Sequence, residues 1–171
     1  MGDLAELCRA ALARAEDGEL AEAYAVESRR TEVKARRGEV ESLSGSETRG
    51  VGVRVIREGR LGYAWAADPD PGEAADLLIA ARAGAEHTTP DEANVLPDPV
   101  PAEAIPDLFR DGQASLGPER KVALALDLER VAVSSHPEVP KVEETIYGDA
   151  VNRVAIASTT GVAAEYSRTD C

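Results

Sequence analysis

Residues able to do chemistry are few in this chain, and they are scattered. Histidine occurs only at His87 and His136. Each stands alone among loop-forming residues, whereas a hydrolytic zinc needs three protein ligands and a water that a base can activate. A histidine beside a helix end is ordinarily a C-cap or a surface residue. The expectation is therefore no catalytic residue and no metal-ligand set in this chain. Ser44, Ser46, Ser134, Ser135 and Ser158 lack a Gly-x-Ser-x-Gly elbow or a histidine at a recognisable spacing, which removes the basis for serine hydrolysis. The pairs Glu39/Glu41 and Glu143/Glu144 read as solvated acids in an acidic chain. Gly50-Val-Gly-Val53 and Gly59 do not precede a helix, so they form no phosphate cradle. Backbone chemistry remains. Strands that carry glycine leave donors and acceptors open to an extended peptide, which adds to a sheet irrespective of its side chains. Val51, Gly52, Val53 and Arg54 are the candidate peptide-binding residues, and the competing reading is that the glycines admit a covering helix.

The elements that must position them follow from periodicity. From Arg49 to Arg57, Val51, Val53 and Val55 alternate with Gly50, Gly52 and Arg54, the period-two pattern of a half-buried strand. Glu58-Gly59 signals a tight hairpin, after which Leu61, Tyr63 and Trp65 alternate with Gly62 and Ala64. Gly50, Gly52 and Gly62 inside strands mark curvature, a bulge or a close backbone approach. Upstream, Ala21 to Arg36 and Glu39 to Leu43 read as strands around a turn at Arg37-Gly38. Downstream, Lys141 to Tyr147, Arg153 to Thr159 and Val162 to Arg168 read as three more, separated at Gly148-Asp149 and Thr160-Gly161. Helical spacing appears from Asp3 to Ala15, from Asp70 to Ala85 and from Pro118 to Val133. Asp70, Pro71 and Glu73 supply a cap, a first-turn proline and a capping-box partner, and Val122, Leu124, Ala125, Leu128, Val131 and Ala132 form the expected stripe of the last helix. Between helices two and three, residues 88–117 form a proline-rich strap with a turn expected near Ala102 to Phe109. Strands joined by short turns pair antiparallel, and amphipathic helices need a sheet face. The predicted fold is α+β: a two-layer sandwich of a largely antiparallel sheet, about seven strands, with three helices packed on it, forming one domain over residues 1–171.

Composition narrows function. Lysine and arginine total 19 against 32 aspartates and glutamates, a formal charge of −13, which repels phosphate backbones and anionic headgroups. Direct nucleic-acid or membrane partners are not expected. The basic cluster Arg29, Arg30, Lys34, Arg36 and Arg37 is split by strand alternation between two faces, as a solvated sheet surface would be. One Phe, one Trp and four Tyr leave a core of small aliphatics. Of the two cysteines, Cys8 reads as a small buried residue. The absence of an apolar run of membrane length or a leader pattern makes a reducing cytoplasm the default location.

The run Glu39-Val-Glu-Ser-Leu43, then Arg49-Gly-Val-Gly-Val-Arg-Val55, Gly59-Arg-Leu-Gly-Tyr-Ala64 and Asp68, resembles the amino-terminal domain of the TldD/PmbA family, often called modulators of DNA gyrase. Ala155-Ile-Ala-Ser-Thr-Thr-Gly161 with the strand after it is similar to the family's second block of strands, so the resemblance spans Ala21 to Thr169. Thr89-Pro-Asp-Glu92 and Leu96-Pro-Asp-Pro99 are more similar to the PmbA (TldE-like) branch. The resemblance implies a non-catalytic part of a cytoplasmic metallopeptidase subunit that serves assembly and the admission or holding of extended polypeptide. It implies a TldD-like partner subunit, or a second copy in a dimer. Zinc is expected only in the carboxy-terminal domain of a TldD-type partner, and that catalytic domain is absent from this chain. From a different class, the alternative is a stand-alone interaction module that binds a protein through a sheet edge, without proteolysis.

Overall fold

The computed structural model describes residues 3–101 and 103–171. In chain order the elements are α1 (Leu4–Ala11), β1 (Leu20–Arg36), β2 (Glu39–Arg57), β3 (Arg60–Ala67), α2 (Pro71–Ala85), α3 (Asp111–Ala114), α4 (Pro118–Ser134), β4 (Thr145–Ser158) and β5 (Ala163–Asp170). The strands form one sheet in the order β3-β2-β1-β4-β5. The α+β class holds, with five strands in place of about seven. Gly45 and Gly148-Asp149 were the reason for the higher count. Both glycines lie inside uninterrupted strands, and a Cβ on either would meet a β1 carbonyl, Arg30 O at 3.7 Å or Thr31 O at 3.9 Å. Those are ordinary contact distances, so neither glycine is required by a close approach, and neither marks a chain reversal.

True reversals occur where two consecutive residues adopt positive φ. Arg37 and Gly38 lie at 58° and 76°, and Glu58 and Gly59 at 52° and 74°. Positive φ at both central residues is the primed turn that suits the twist of a hairpin. β1 and β4 run antiparallel, since Thr159 N donates to Ala21 O, Ser28 bonds Asn152, and Thr145 donates to Ala35 O.

The chain gathers into two compact units, interleaved in sequence. The first comprises residues up to Glu27, Thr48–Ile105 and Arg153–Ser167, and the second comprises Ser28–Glu47, Pro106–Asn152 and Arg168–Cys171. In the first unit, Asp3 caps α1 through Ala5 N at 2.9 Å. Asp70 caps α2 in a full capping box, accepting from Gly72 N and Glu73 N while Glu73 accepts from Asp70 N. α1 buries Leu4, Leu7, Cys8 and Ala11, and α2 buries Ala74, Leu78, Ala81 and Ala85. Opposite them stand Ala21, Ala23 and Ala25 of β1, Val51, Val53 and Val55 of β2, and Ala155 of β4. The small side chains let α2 lie almost on the backbone of β3. A Cβ at Gly62 would stand 1.8 Å from Ala81 O and 2.7 Å from Ala85 N.

Glu19 anchors the same unit, accepting from Arg82 Nε at 2.7 Å and Nη2 at 2.6 Å. This charge-assisted pairing holds the Glu19 carboxyl below its ordinary value of 4.5. The early part of the strap is tied down: Thr88 Oγ1 donates to Leu61 O, Asp91 N and Asn94 Nδ2 to Gly59 O, and Thr160 Oγ1 to Pro97 O.

In the second unit, α4 turns a different stripe inward from the one its hydrophobic spacing suggests. Lys121, Ala125 and Glu129 are buried, while Leu128 and Val131 are more than half exposed. Partners explain the inversion. Glu129 accepts from Arg37 N at 2.6 Å and Gly38 N at 2.9 Å, satisfying both amides of the first hairpin turn. Lys121 Nζ donates to Thr31 Oγ1 at 2.8 Å and to Asp149 Oδ1 at 2.9 Å. Tyr147 donates to Asp149 as well, and burial first, then that carboxylate, pushes its phenol up to about 12. α3 is a short helix inside the strap, and the turn expected from Ala102 to Phe109 falls at 106–107, Ala102 itself lying outside the described residues.

Two predictions follow from this packing. Gly62→Ala sets a methyl against backbone that cannot swing away, and it should cost about 1–3 kcal/mol by urea unfolding. Gly52→Ala should cost clearly less, because its Cβ meets only the far end of the Tyr63 ring, the hydroxyl at 2.6 Å. Because the folded Glu19 value lies below the unfolded one, the stabilisation from its pairing is complete above pH 4.5 and is lost as pH falls through the folded value. Glu19→Gln should flatten that part of the stability curve while lowering stability at pH 7.

Candidate functional site

In the first unit α1 and α2 cover one face of the strands, and period-two alternation sends the other set of side chains to the opposite face. Ala21, Ala23 and Ala25 point to the helices, so Glu22, Tyr24 and Val26 do not. With Val51, Val53 and Val55 in the core, Gly50, Gly52 and Arg54 form the open surface of β2. On β3 the inward residues are Gly62 and Ala64, which leaves Tyr63 and Trp65 outside at 61% and 66% exposure. Tyr166 of β5 joins them. Tyr24 is raised above its ordinary value by burial first and then by the Tyr166 phenol beside it. A concavity of about 570 Å³ results, floored by Gly50 and Gly52 and walled by Tyr24, Tyr63 and Trp65.

The charges around this concavity are largely matched. Arg54 Nε stands 2.8 Å from Glu22 Oε1, and Arg49 Nη1 stands 3.1 Å from Asp68 Oδ1. The Arg54–Glu22 approach is an ion pair and not a hydrogen bond, because the Nε–H is not directed at the carboxylate. Nε of Arg49 is likewise buried without an acceptor. Aromatic faces and backbone with little net charge can bind apolar or extended chain. The carboxylate at this surface, Glu22, is engaged by Arg54.

The four candidate peptide-binding residues divide between the two faces. Val51 and Val53 are 2% and 0% exposed and belong to the core, whereas Gly52 and Arg54 reach the open face. β2 is interior, flanked by β3 and β1. Tyr24, Tyr63, Trp65 and Tyr166 complete the surface and are missing from the sequence-derived set. The signal available was glycine at 62 with alanine at 64, which marks that side of β3 as the one a helix approaches.

A second concavity, about 480 Å³, lies in the second unit and is lined by Ser44, Gly45, Ser46, Asp149, Asp170 and Cys171 among others. Its carboxylates are engaged, Asp149 by Lys121 and Tyr147, and Asp170 by Arg168 and Asn152. Both cysteines are free, Cys171 exposed and Cys8 buried with its thiol pushed up to about 11 by desolvation. His87 and His136 are exposed, and His136 Nδ1 accepts from Glu138 N at 3.2 Å. Among the described residues no group of three or more His, Cys, Asp or Glu could hold a metal. These residues do not fit a hydrolytic zinc.

Against this geometry, family comparison gives two matches in sequence order. The model described as PmbA/TldA metallopeptidase domain 1 matches residues 21–86, and that described as the PmbA/TldA metallopeptidase central domain matches residues 111–171. The chain belongs to the PmbA/TldD family. Ten solved chains match this PmbA/TldD-family member in structure. A candidate modulator of a DNA gyrase from Thermotoga maritima has a TM-score of 0.78 at 15% identity over 93% of this chain and 36% of its own. TldE from Thermococcus kodakarensis has a TM-score of 0.77 at 19% identity, over 89% of this chain and 34% of its own. A candidate modulator of DNA gyrase from Bacteroides thetaiotaomicron has a TM-score of 0.76 at 20% identity, over 95% of this chain and 37% of its own. The chain thus spans about a third of the length of these relatives. No curated protein matches it. Among the described residues no helix is long and apolar enough to cross a membrane.

With Trp65 66% exposed and outside the core, its emission should be red-shifted and open to acrylamide quenching. Trp65→Ala should change unfolding stability by no more than about 0.5 kcal/mol, as expected of a side chain outside the core.

Proposed function

We propose that this chain is the non-catalytic amino-terminal part of a TldD/PmbA-type metallopeptidase subunit, of the PmbA (TldE-like) branch. It works in subunit assembly and in admitting or holding extended polypeptide. The observation that carries this reading is the family match across both of the chain's matched segments, joined to side chains that offer apolar and backbone contact without, among the described residues, a metal-ligand set. In this reading zinc resides in the carboxy-terminal domain of a TldD-type partner. The present chain contributes surface. A face of Tyr24, Tyr63 and Trp65 around a glycine floor, with Tyr166 beside Tyr24, suits chains of varied sequence, because aromatic contact and backbone pairing do not read side-chain identity closely. The excess of acidic residues favours neutral or basic segments over acidic ones. The cytoplasm is the compartment in which such a subunit would act.

Metal analysis of the purified chain, paired with azocasein hydrolysis, tests the proposal. The chain alone should bind no stoichiometric zinc and release no peptide, and both should appear on adding a full-length TldD-type subunit. Stoichiometric zinc or chelator-sensitive hydrolysis in the chain alone would overturn it.

A further inference from the structure

The two outer strands of the sheet differ in how their edges are protected. β5 carries Glu165, Arg168 and Asp170, and near its end Thr169 N donates to Leu108 O while Thr169 Oγ1 accepts from Arg110 N. Charge and a covering segment are ordinary ways to keep an edge from recruiting another chain. β3 carries no charge or proline along Tyr63-Ala-Trp-Ala-Ala67, and the segment nearest its backbone, α2 at Gly84, lies over Tyr63 without bonding its N–H or C=O. No bulge interrupts β3, since its register with β2 is continuous from Arg57↔Arg60 to Gly50↔Ala67.

The direction of the free backbone groups follows from that register. In a two-residue hairpin the closing pair, here Arg57 and Arg60, is hydrogen-bonded, and such pairs recur every second residue. Gly62, Ala64 and Ala66 therefore turn their N–H and C=O to β2, while Leu61, Tyr63, Trp65 and Ala67 turn theirs away. Leu61 O bears this out by accepting from the Thr88 hydroxyl at 3.1 Å. Past that point, no hydrogen bond among the described residues occupies the outward groups of Tyr63 and Trp65. Their side chains are exposed beside the same free groups.

We propose that the outer edge of β3, from Tyr63 to Ala67, binds an extended, unfolded polypeptide as an added strand, its alternate apolar side chains lying against Trp65 and Tyr63. The proposal rests on the holding role above and assigns that role to one strand. Residues of this stretch span about 17 Å, and two strands paired over that length bury far less than the roughly 1,000 Å² a stable dimer needs. The occupant is therefore a transient peptide and not a second copy of the chain. A chain of charge −13 selects a neutral or basic segment.

The only tryptophan of the chain is its own reporter at this edge. Trp65 emission is titrated with a capped peptide of alternating valine and threonine carrying a lysine at each end. Two twins are N-methylated, one at the residues whose amides face β3 and the other at the alternate residues. The first twin should bind about tenfold more weakly and the second like the parent. Amide exchange should slow at Tyr63 and Trp65 when the parent peptide is present. Peptide binding that ignores both methylation patterns and leaves those amides unprotected would overturn the edge assignment and leave the holding role intact. No binding of any unfolded peptide would overturn both, and a dimer in sedimentation that the parent peptide dissociates would overturn the choice of occupant.

Discussion

The contact on which the first unit depends is the approach of α2 to the backbone of β3 at Gly62, so close that a Cβ there would overlap Ala81 O at 1.8 Å. A helix can come this near only where both surfaces are small, and the facing residues are Gly62 and Ala64 on one side, Ala74, Ala81 and Ala85 on the other. Strand alternation then leaves one place for the bulky residues of β3, the opposite face. Tyr63 and Trp65 are exposed for the same reason that the core is alanine-rich. Their position is a consequence of helix packing, and an exposed aromatic surface comes with it.

The second unit reaches its packing by other means. Its apolar core is small, with Val33, Ala35 and Ala125 fully buried, and α4 turns Lys121 and Glu129 inward on either side of that alanine. Buried charge is tolerable only when its hydrogen-bonding capacity is met. Asp149 and Thr31 meet it for Lys121, and the two turn amides of Arg37 and Gly38 meet it for Glu129. Such contacts demand particular geometry, whereas the alanine and valine layers of the first unit demand only size. The first hairpin turn is consequently fixed by a residue 91 positions away in sequence, counted from Gly38 to Glu129.

Much of this was legible in the sequence, and its gaps have definite causes. Asp3, Asp70, Pro71 and Glu73 announce helix starts through local hydrogen bonds, and Arg37-Gly38 and Glu58-Gly59 announce turns through local φ. Elements set by neighbouring residues were therefore readable. Gly45 and Gly148 were not, because glycine commonly signals a reversal, and only the continuous pairing of β2 and β4 with their neighbours shows that the strands run through them. The inward stripe of α4 was hidden by the rule that leucine is buried before lysine, which fails where Asp149, distant in sequence, neutralises Lys121. At the site, Gly52 and Arg54 were legible as members of a strand, but Tyr24 and Tyr166 lie far apart in sequence and come together only through the strand order.

Protection of the sheet edges shows what the open surface of β3 costs the protein. Five consecutive uncharged residues on a regular outer strand invite association with any unfolded chain, and a single charged residue on this stretch would suppress it. The outer strand β5 carries such residues, so the chemistry of protection is available in this sequence and is absent where Trp65 stands. The acidic excess elsewhere supplies a general repulsion between copies, since like net charge disfavours self-association without blocking a neutral partner. Local neutrality at β3 and global negative charge are therefore complementary: the first leaves an edge receptive to backbone, and the second restricts which chains approach it. A surface with those two properties suits weak, reversible contact with extended chain, which is the kind of contact proposed for it above.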